Sequence, residues 1–555
     1  MRCRGLMGAA VALALLIWLP LGLAGVPLDT PDGFLHLGWA VGWVKQLQQG
    51  WLWPTWSDLP WAGAGSSALL IYPPLFRWFV GLPLLLGLPP DDALATGLLL
   101  LLLLHNGGVA ALAIHWLQKS RWRWALLIAA SLNPYLLVNI YVRGAWPEAL
   151  AQALLWWLAL GFLGLQHRRP WGWPLAGLAL AGIALSNWNA ALLTGVAWGL
   201  AGLLLRRKTW LWSGTLGAGL AMPFWLPALQ ALPSVRPPIP AGLLPGEFFA
   251  DIDLGYRSFA ALLWIQAVAI ALLLLWRWLG WRGASPLARW GALLAVLSLL
   301  MSLSISAPIY HWLPALQRIQ FPWRWLSLGW FGALLWLASA SEQPQRTNRT
   351  RPAALAVTGL AAAGCWFDGL WRFRSNLWGH APSTSERMAL RSLLRCDPLT
   401  PCPAGVAALP KEGELAKRFV ALPDGRIALS GVPDYSPAGV PEASWNKRLA
   451  IFWLPTWPQN HWAEWSGEGR LRLLERSPRS RVLELNATSS GRLRIMQWAT
   501  PGWRVQVNQG QGWSDPLPAG GRDSEGWISV DLPAGRSHVA LSYGQLRSGP
   551  VRSRP

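Results

Sequence analysis

Three short stretches hold most of the residues able to do chemistry in an otherwise apolar chain. The first is Thr30-Pro31-Asp32-Gly33-Phe34-Leu35-His36, just past an apolar run. Thr30 suits a helix N-cap and Pro31 the first helical position. Asp32 is then expected in the first turn, sharing a face with His36 four residues on. A carboxylate there can act as a general base. It can equally be an ordinary first-turn acid, stabilised by the helix dipole. That dipole is expected to keep Asp32 ionised with a low pKa, as suits a modest base that orients a hydroxyl and helps remove its proton late in a reaction. The second stretch is Tyr141-Val142-Arg143-Gly144-Ala145-Trp146-Pro147-Glu148. The fork of Arg143 can clamp a phosphate, with Glu148 orienting it. A surface ion pair of little energetic value is the rival reading. The third is Gln317-Arg318-Ile319-Gln320-Phe321-Pro322-Trp323-Arg324. Here Pro322 can break a helix where a cavity is lined, and Arg324 can meet an anion. The rival is an arginine reaching to the membrane interface.

Other candidates are weaker. Asn187 and Asn189, in Ser186-Asn187-Trp188-Asn189, mark either a polar cavity at membrane depth or a turn. Asp251 and Asp253 could bind a divalent ion or a sugar, but two carboxylates are a thin ligand set. His105 and Arg77, in apolar runs, read as packing or snorkelling residues. Cys396 and Cys402 flank Asp-Pro-Leu-Thr-Pro and are expected to form a disulfide outside the cytosol, where such bonds persist. They lie near too few other ligands for zinc. No nucleotide-binding loop, dinucleotide fingerprint, serine nucleophile elbow or zinc-protease helix is present.

The elements that must position these residues follow from charge and hydropathy. The chain has 555 residues, of which 53% are hydrophobic and 13% charged. Such a composition belongs to a polytopic membrane protein. The net charge of +21 would suggest a nucleic-acid partner in a soluble chain. Here much of the basic charge flanks apolar runs, so it reports topology and no nucleic acid is expected. Basic breaks at 2–4, 119–123, 167–169, 206–208, 277–289 and 346–351 all fit one side of a membrane. Lys and Arg stay cytoplasmic, which places the three chemical stretches on the outer face. Apolar runs long enough to span are expected at 6–25, 93–117, 124–141, 146–166, 171–186, 190–205, 210–229, 259–279, 287–307, 321–339 and 353–371. This makes about eleven spans. The first is read as a retained helix, not a cleaved signal. The outer loop 26–92 should hold a helix over 33–49 and an interfacial helix ending near Leu88. Residues 1–371 thus form a multispanning, mainly α membrane domain. Residues 372–555 change to short alternating runs at 481–485, 492–497, 503–507, 527–532 and 538–543. Those predict an extracytoplasmic antiparallel β-sandwich.

Asp32 past the first span, Pro54-Thr55-Trp56, the Gly-rich turn 63–65 and Tyr72-Pro73-Pro74-Leu75 resemble the first outer loop of the type C (GT-C) glycosyltransferase superfamily. Gln320–Arg324, Pro501-Gly502-Trp503-Arg504-Val505 and the Leu-Pro-Ala-Gly turn at 532–535 resemble bacterial multispanning proteins labelled "6-pyruvoyl-tetrahydropterin synthase-related". The likeness covers most of the chain, carried more by motif order than by any one motif. It implies a plasma (inner) membrane enzyme, N-terminus cytoplasmic, that moves a sugar from a polyprenyl-phosphate carrier to an envelope glycan or lipid acceptor. By the same resemblance Asp32 is the catalytic base, and Arg143 and Arg324 neutralise the leaving phosphate. His36 and Tyr72 would shape the site, with Glu148, Asn187 and Gln320 in binding roles. A divalent cation is left open as a cofactor. Many relatives carry two acids where this chain has the lone Asp32. That keeps a second reading alongside, a non-catalytic protein that binds or organises an envelope polymer. A transporter is a third, more distant one.

Overall fold

The computed structural model describes residues 2–28, 30, 32–60, 65–235, 249, 266–272, 274–275, 284–319, 321–339, 387, 391, 419–421, 427–429, 463–477, 479–500, 502–518 and 526–544. The longer helices, in chain order, are α1 Arg2–Ala24, α2 Gly33–Gln48, α3 Leu75–Leu85, α4 Pro90–Trp116, α5 Ser120–Ser131, α6 Trp146–Gln166, α7 Gly172–Ala184, α8 Trp188–Leu205, α9 Thr209–Ala231, α10 Pro286–Ser302 and α11 Leu326–Ala338. Their ends follow local chemistry. Pro90 opens α4, with Asp91 and Asp92 in its first turn, where acids favour the dipole. The Asn187 side chain caps α8, accepting from the Ala190 N–H at 3.0 Å.

Among the described residues, six helices are long and apolar enough to cross a membrane, or seven if one bent pair counts as a single span. Eleven were expected; two of the differences are physical, and two expected spans are not fully covered by the described residues. α7 and α11 have 13 residues each, about 20 Å of helix against a core of about 30 Å. The run at 287–307 is not straight, since Pro286–Ser302 and Ser304–Trp312 meet at 87°. The expected span 353–371 and much of 259–279 lie outside the described residues, as do Asp251, Asp253 and the Cys396–Cys402 pair. The expected span at 124–141 begins earlier and is irregular. It runs Ser120–Arg143, interrupted at Asn133-Pro134 and ending in a π-helical turn, Asn139–Arg143.

Residue contacts divide the chain into two units. One comprises Met1–Leu37, Pro73–Trp225 and Ile239–Pro382; the other Gly38–Tyr72, Leu226–Pro238 and Ser383–Pro555. In the first, small residues let helices close. A Cβ on Gly291 of α10 would stand 2.7 Å from the Gly332 carbonyl of α11, an approach that replaces apolar bulk with backbone contact.

In the second unit, the described strands beyond residue 460 are β3 Ala463–Trp465, β4 Gly469–Ser477, β5 Ser480–Ala487, β6 Gly491–Trp498, β7 Trp503–Asn508, β8 Leu517–Pro518, β9 Trp527–Leu532 and β10 Gly535–Tyr543; β1 Phe419–Ala421 and β2 Ile427–Leu429 pair separately. They form a five-stranded sheet, β4-β5-β10-β7-β8, and a three-stranded sheet, β3-β6-β9. All these ladders are antiparallel. Inward residues of both sheets, including Leu483, Val505, Leu541, Leu493 and Trp527, share one core with Trp56 of the segment that follows α2. Trp56 is fully buried, its ring 5.5 Å from Trp503 and 5.3 Å from Tyr543. Truncation of such a buried ring costs about 3–5 kcal/mol. Trp56→Ala should therefore lower the thermal unfolding midpoint of the purified protein sharply. Leu52→Ala, at a side chain 90% exposed, should leave it unchanged. Equal midpoints for both variants would remove Trp56 from the core.

Candidate active site

The site is built where the π-helical turn meets the start of α2. A π-turn inserts one extra residue into a helical turn and is common at functional sites. Here it delivers Arg143, and Gly144 stops it in the left-handed region at φ 69°. A Cβ on Gly144 would stand 2.3 Å from the Thr30 hydroxyl and 2.5 Å from the Gly33 nitrogen. Glycine thus lets backbone meet backbone, and the Asp32 N–H donates to the Arg143 carbonyl at 3.1 Å. The Thr30 hydroxyl accepts from the Gly33 N–H at 3.0 Å, although Thr30 is not the N-cap of α2. Asp32 itself sits two places earlier in the helix than expected, at the N-cap and not in the first turn. The helix starts at Gly33, and the Asp32 carbonyl takes the first helical bond, from the His36 N–H at 3.3 Å.

Glu148, in the first turn of α6, organises the cations. Its Oε1 accepts from the Tyr135 hydroxyl at 2.7 Å. Its Oε2 lies 3.2 Å from Arg143 Nη1 and 3.7 Å from Arg324 Nε. All three charged side chains are buried, so these are not the solvated surface pairs of the rival readings. Arg143 Nη1 also donates to Asn139 Oδ1 at 2.5 Å, and its guanidinium lies 4.6 Å from the Trp323 ring centroid. Arg324 lies 5.0 Å from the Phe321 ring centroid. With its amide turned to suit its neighbours, Asn189 donates to the Arg318 carbonyl at 3.1 Å and accepts from Arg324.

Asp32 is half-buried and feels both guanidinium groups. Withdrawal from water raises its pKa above the ordinary 3.8, while Arg143 and then Arg324 pull it down and Glu148 adds to the rise. This overturns the low pKa expected from the helix dipole, because desolvation outweighs it. His36 is buried 6.1 Å from the ring centroids of Phe76 and Trp146. Burial, then Arg143 and Arg77, push its pKa down to about 3, so it is a neutral imidazole at physiological pH.

The structure therefore brings Asp32, His36, Arg143, Glu148 and Arg324 into one cluster of the first unit. Asn187 acts as a helix cap, and its neighbour Asn189 is the residue that reaches Arg324. Tyr72 belongs to the second unit, tilted against Trp39 at 4.7 Å. Gln320 lies outside the described residues. Tyr135, Asn139 and Trp323 were not singled out from sequence. A Tyr, an Asn or a Trp in an apolar run carries no signal of its own, whereas Asn189 was flagged with Asn187 as a candidate cavity residue. His105 is a packing residue as expected, bonded to Asn106 Oδ1 and the Trp156 indole, both at 3.0 Å. Among the described residues no three His, Cys, Asp or Glu side chains converge as a metal site would require.

No family model and no curated protein matches the chain. Two solved cryo-EM structures, both classes of one mutant of the arabinofuranosyltransferase AftD from Mycobacteria, are similar in part. They show 14% identity, with TM-scores of 0.41 and 0.40. The alignments cover 97% of this chain but only 60% and 59% of those chains. At that identity and score, no activity transfers from them.

Two outcomes follow from this geometry. Gly144→Ala forces a left-handed alanine against Thr30 and Gly33. It should cost about 1–3 kcal/mol, read as a lower unfolding midpoint, whereas an unchanged midpoint would contradict the close approach. For Asp32, the folded pKa lies above the unfolded one, so the folded state holds more protons and stability falls as pH rises through the folded pKa. Asp32→Asn should then unfold at a higher temperature than wild type at neutral pH, and at the same temperature at or below pH 3.8. Equal midpoints at both pH values would show that the carboxylate is not desolvated.

Proposed function

We propose that this chain is a GT-C-type membrane glycosyltransferase. It would move a sugar from a polyprenyl-phosphate carrier to a hydroxyl of an envelope acceptor on the non-cytoplasmic face of the plasma membrane. One observation carries the reading: a half-buried carboxylate faces two buried guanidinium groups that share a single counter-ion. The sidedness of the basic loops supports the outer face. The C-terminal sheets, read as a β-sandwich, would engage acceptor or glycan.

The chemistry follows from the charges. Glu148 offsets one of the two arginines, leaving one positive charge to be shared by Asp32 and the donor phosphate. Asp32 takes the proton of the acceptor hydroxyl as its oxygen bonds to the anomeric carbon. The bond from that carbon to the phosphate oxygen breaks, and its electron pair stays on the phosphate. Negative charge on the phosphate grows during that step, where Arg143 and Arg324 are already oriented, which is how a preorganised site lowers a barrier. Proton uptake raises the local positive charge at the same moment. A carboxylate whose pKa is raised is a better base than an ordinary one. Neutral His36 can hydrogen-bond a sugar without adding charge.

Loss of general-base help typically lowers rate by about 10²–10⁴-fold. Asp32→Asn, present in the membrane at wild-type level, should therefore fail to restore the surface glycan of a deletion strain. Full restoration would end the catalytic role and favour a non-catalytic polymer-binding protein. Arg324→Ala removes a charged contact worth about 1.5–3 kcal/mol, so polyprenyl-phosphate should bind about 10- to 100-fold more weakly. Equal affinity would take Arg324 out of the donor site.

A further inference from the structure

Buried hydrogen-bond donors gather in the second unit, among residues not assigned to the candidate active site. The 46–58 segment packs on the strands there. The Gln46 Oε1 accepts from Arg479 Nε at 2.8 Å, and the Arg479 guanidinium lies on the Trp51 ring. The Tyr543 hydroxyl lies 3.2 Å from the Thr55 hydroxyl, and the Tyr543 N–H donates to the Arg479 carbonyl at 2.9 Å. Gln46 is fully buried and Arg479 is 8% exposed. Yet Arg479 Nη1 and Gln46 Nε2 have no acceptor among the described residues, and nor do the indole N–H groups of Trp56 and Trp503.

Orphaned donors of this kind cost about 1–3 kcal/mol each when left unmet, and native interiors rarely keep several together. The neighbouring Arg481 donates to the Ser477 and Ser480 carbonyls. Of the described acids, Asp58 is the one that acts on Arg479. Burial pulls the Arg479 pKa down to about 9 against the opposing fields of Tyr543 and Asp58, so this cation is poorly compensated. The missing chemistry is that of an acceptor-rich anion. A guanidinium fork matches carboxylate and phosphate, and the Gln46 amide N–H adds a further donor. Access is at hand, because residues 48–50 and 52–53 form an exposed turn beside Arg479 and Trp51.

We propose that Arg479 and Gln46 form a binding site for an oxyanion, a carboxylate or phosphate group, distinct from the Arg143–Arg324 cluster. The test uses the purified full-length protein in detergent. Its unfolding midpoint is followed against sodium glucuronate and sodium phosphate, with sodium chloride at matched ionic strength. The wild type should be stabilised saturably by at least one of the two beyond chloride, and which one tells a carboxylate from a phosphate. Arg324→Ala should keep that response, which separates this site from the proposed donor site. Gln46→Glu places a carboxylate beside Arg479. It should unfold at a higher temperature without added anion and bind the stabilising anion at least tenfold more weakly. No stabilisation beyond chloride, a response abolished by Arg324→Ala, or a Gln46→Glu response equal to wild type would each overturn the site. Since Gln46→Glu only adds a partner for a cation, the test does not depend on whether Arg479→Ala folds.

Discussion

Two guanidinium groups can be buried side by side only because Glu148 stands between them. An isolated buried charge is costly, and breaking a buried pair by removing one partner typically costs about 3–5 kcal/mol. Glu148 spends one oxygen on both arginines and the other on Tyr135, so neither cation is left to solvent or to the other. The consequence is a residual single charge at Asp32. Without the Glu148 carboxylate the two cations would be buried uncompensated.

The position of this carboxylate depends on backbone, not on side chains. Pro147 follows Trp146 at the start of α6 and Glu148 comes next. The π-turn ahead of them sets Arg143 five residues from Glu148 in sequence but on the same anion. Gly144 then allows the turn to rest on the first residues of α2. A shorter, regular helical turn would rotate Arg143 away, and any side chain at 144 would separate Asp32 from it. The chemistry of the cluster is therefore fixed by one irregular turn.

Much of this was legible in the sequence, and what was not has physical causes. Asp32, Arg143, Glu148 and Arg324 stood out because charge on the side opposite the basic loops is rare and must be held by something. Strands β6, β7, β9 and β10 were legible from alternation. β4 was not, since Leu473-Leu474 breaks its alternation at a bulge between Leu473 and Glu475. Among the described residues, expected spans differ from the helices where length and straightness are set by packing: an 87° bend at Leu303 leaves no mark in hydropathy. The low pKa expected for Asp32 failed because a dipole argument sees one helix, while desolvation reflects everything packed around it. Tyr135 and Asn139 were invisible since their roles arise only from the partners that the fold brings to them.

Trp56 carries a consequence for biogenesis. It leaves the ribosome early, whereas the strands that bury it come last, and the Thr55–Tyr543 contact closes a separation of 488 residues. Contacts so remote in sequence form slowly, and apolar surface exposed meanwhile invites aggregation. A newly made chain must therefore keep an indole waiting until translation is nearly finished. Folding of the final strands, not formation of the first helices, then decides when the protein reaches its mature state.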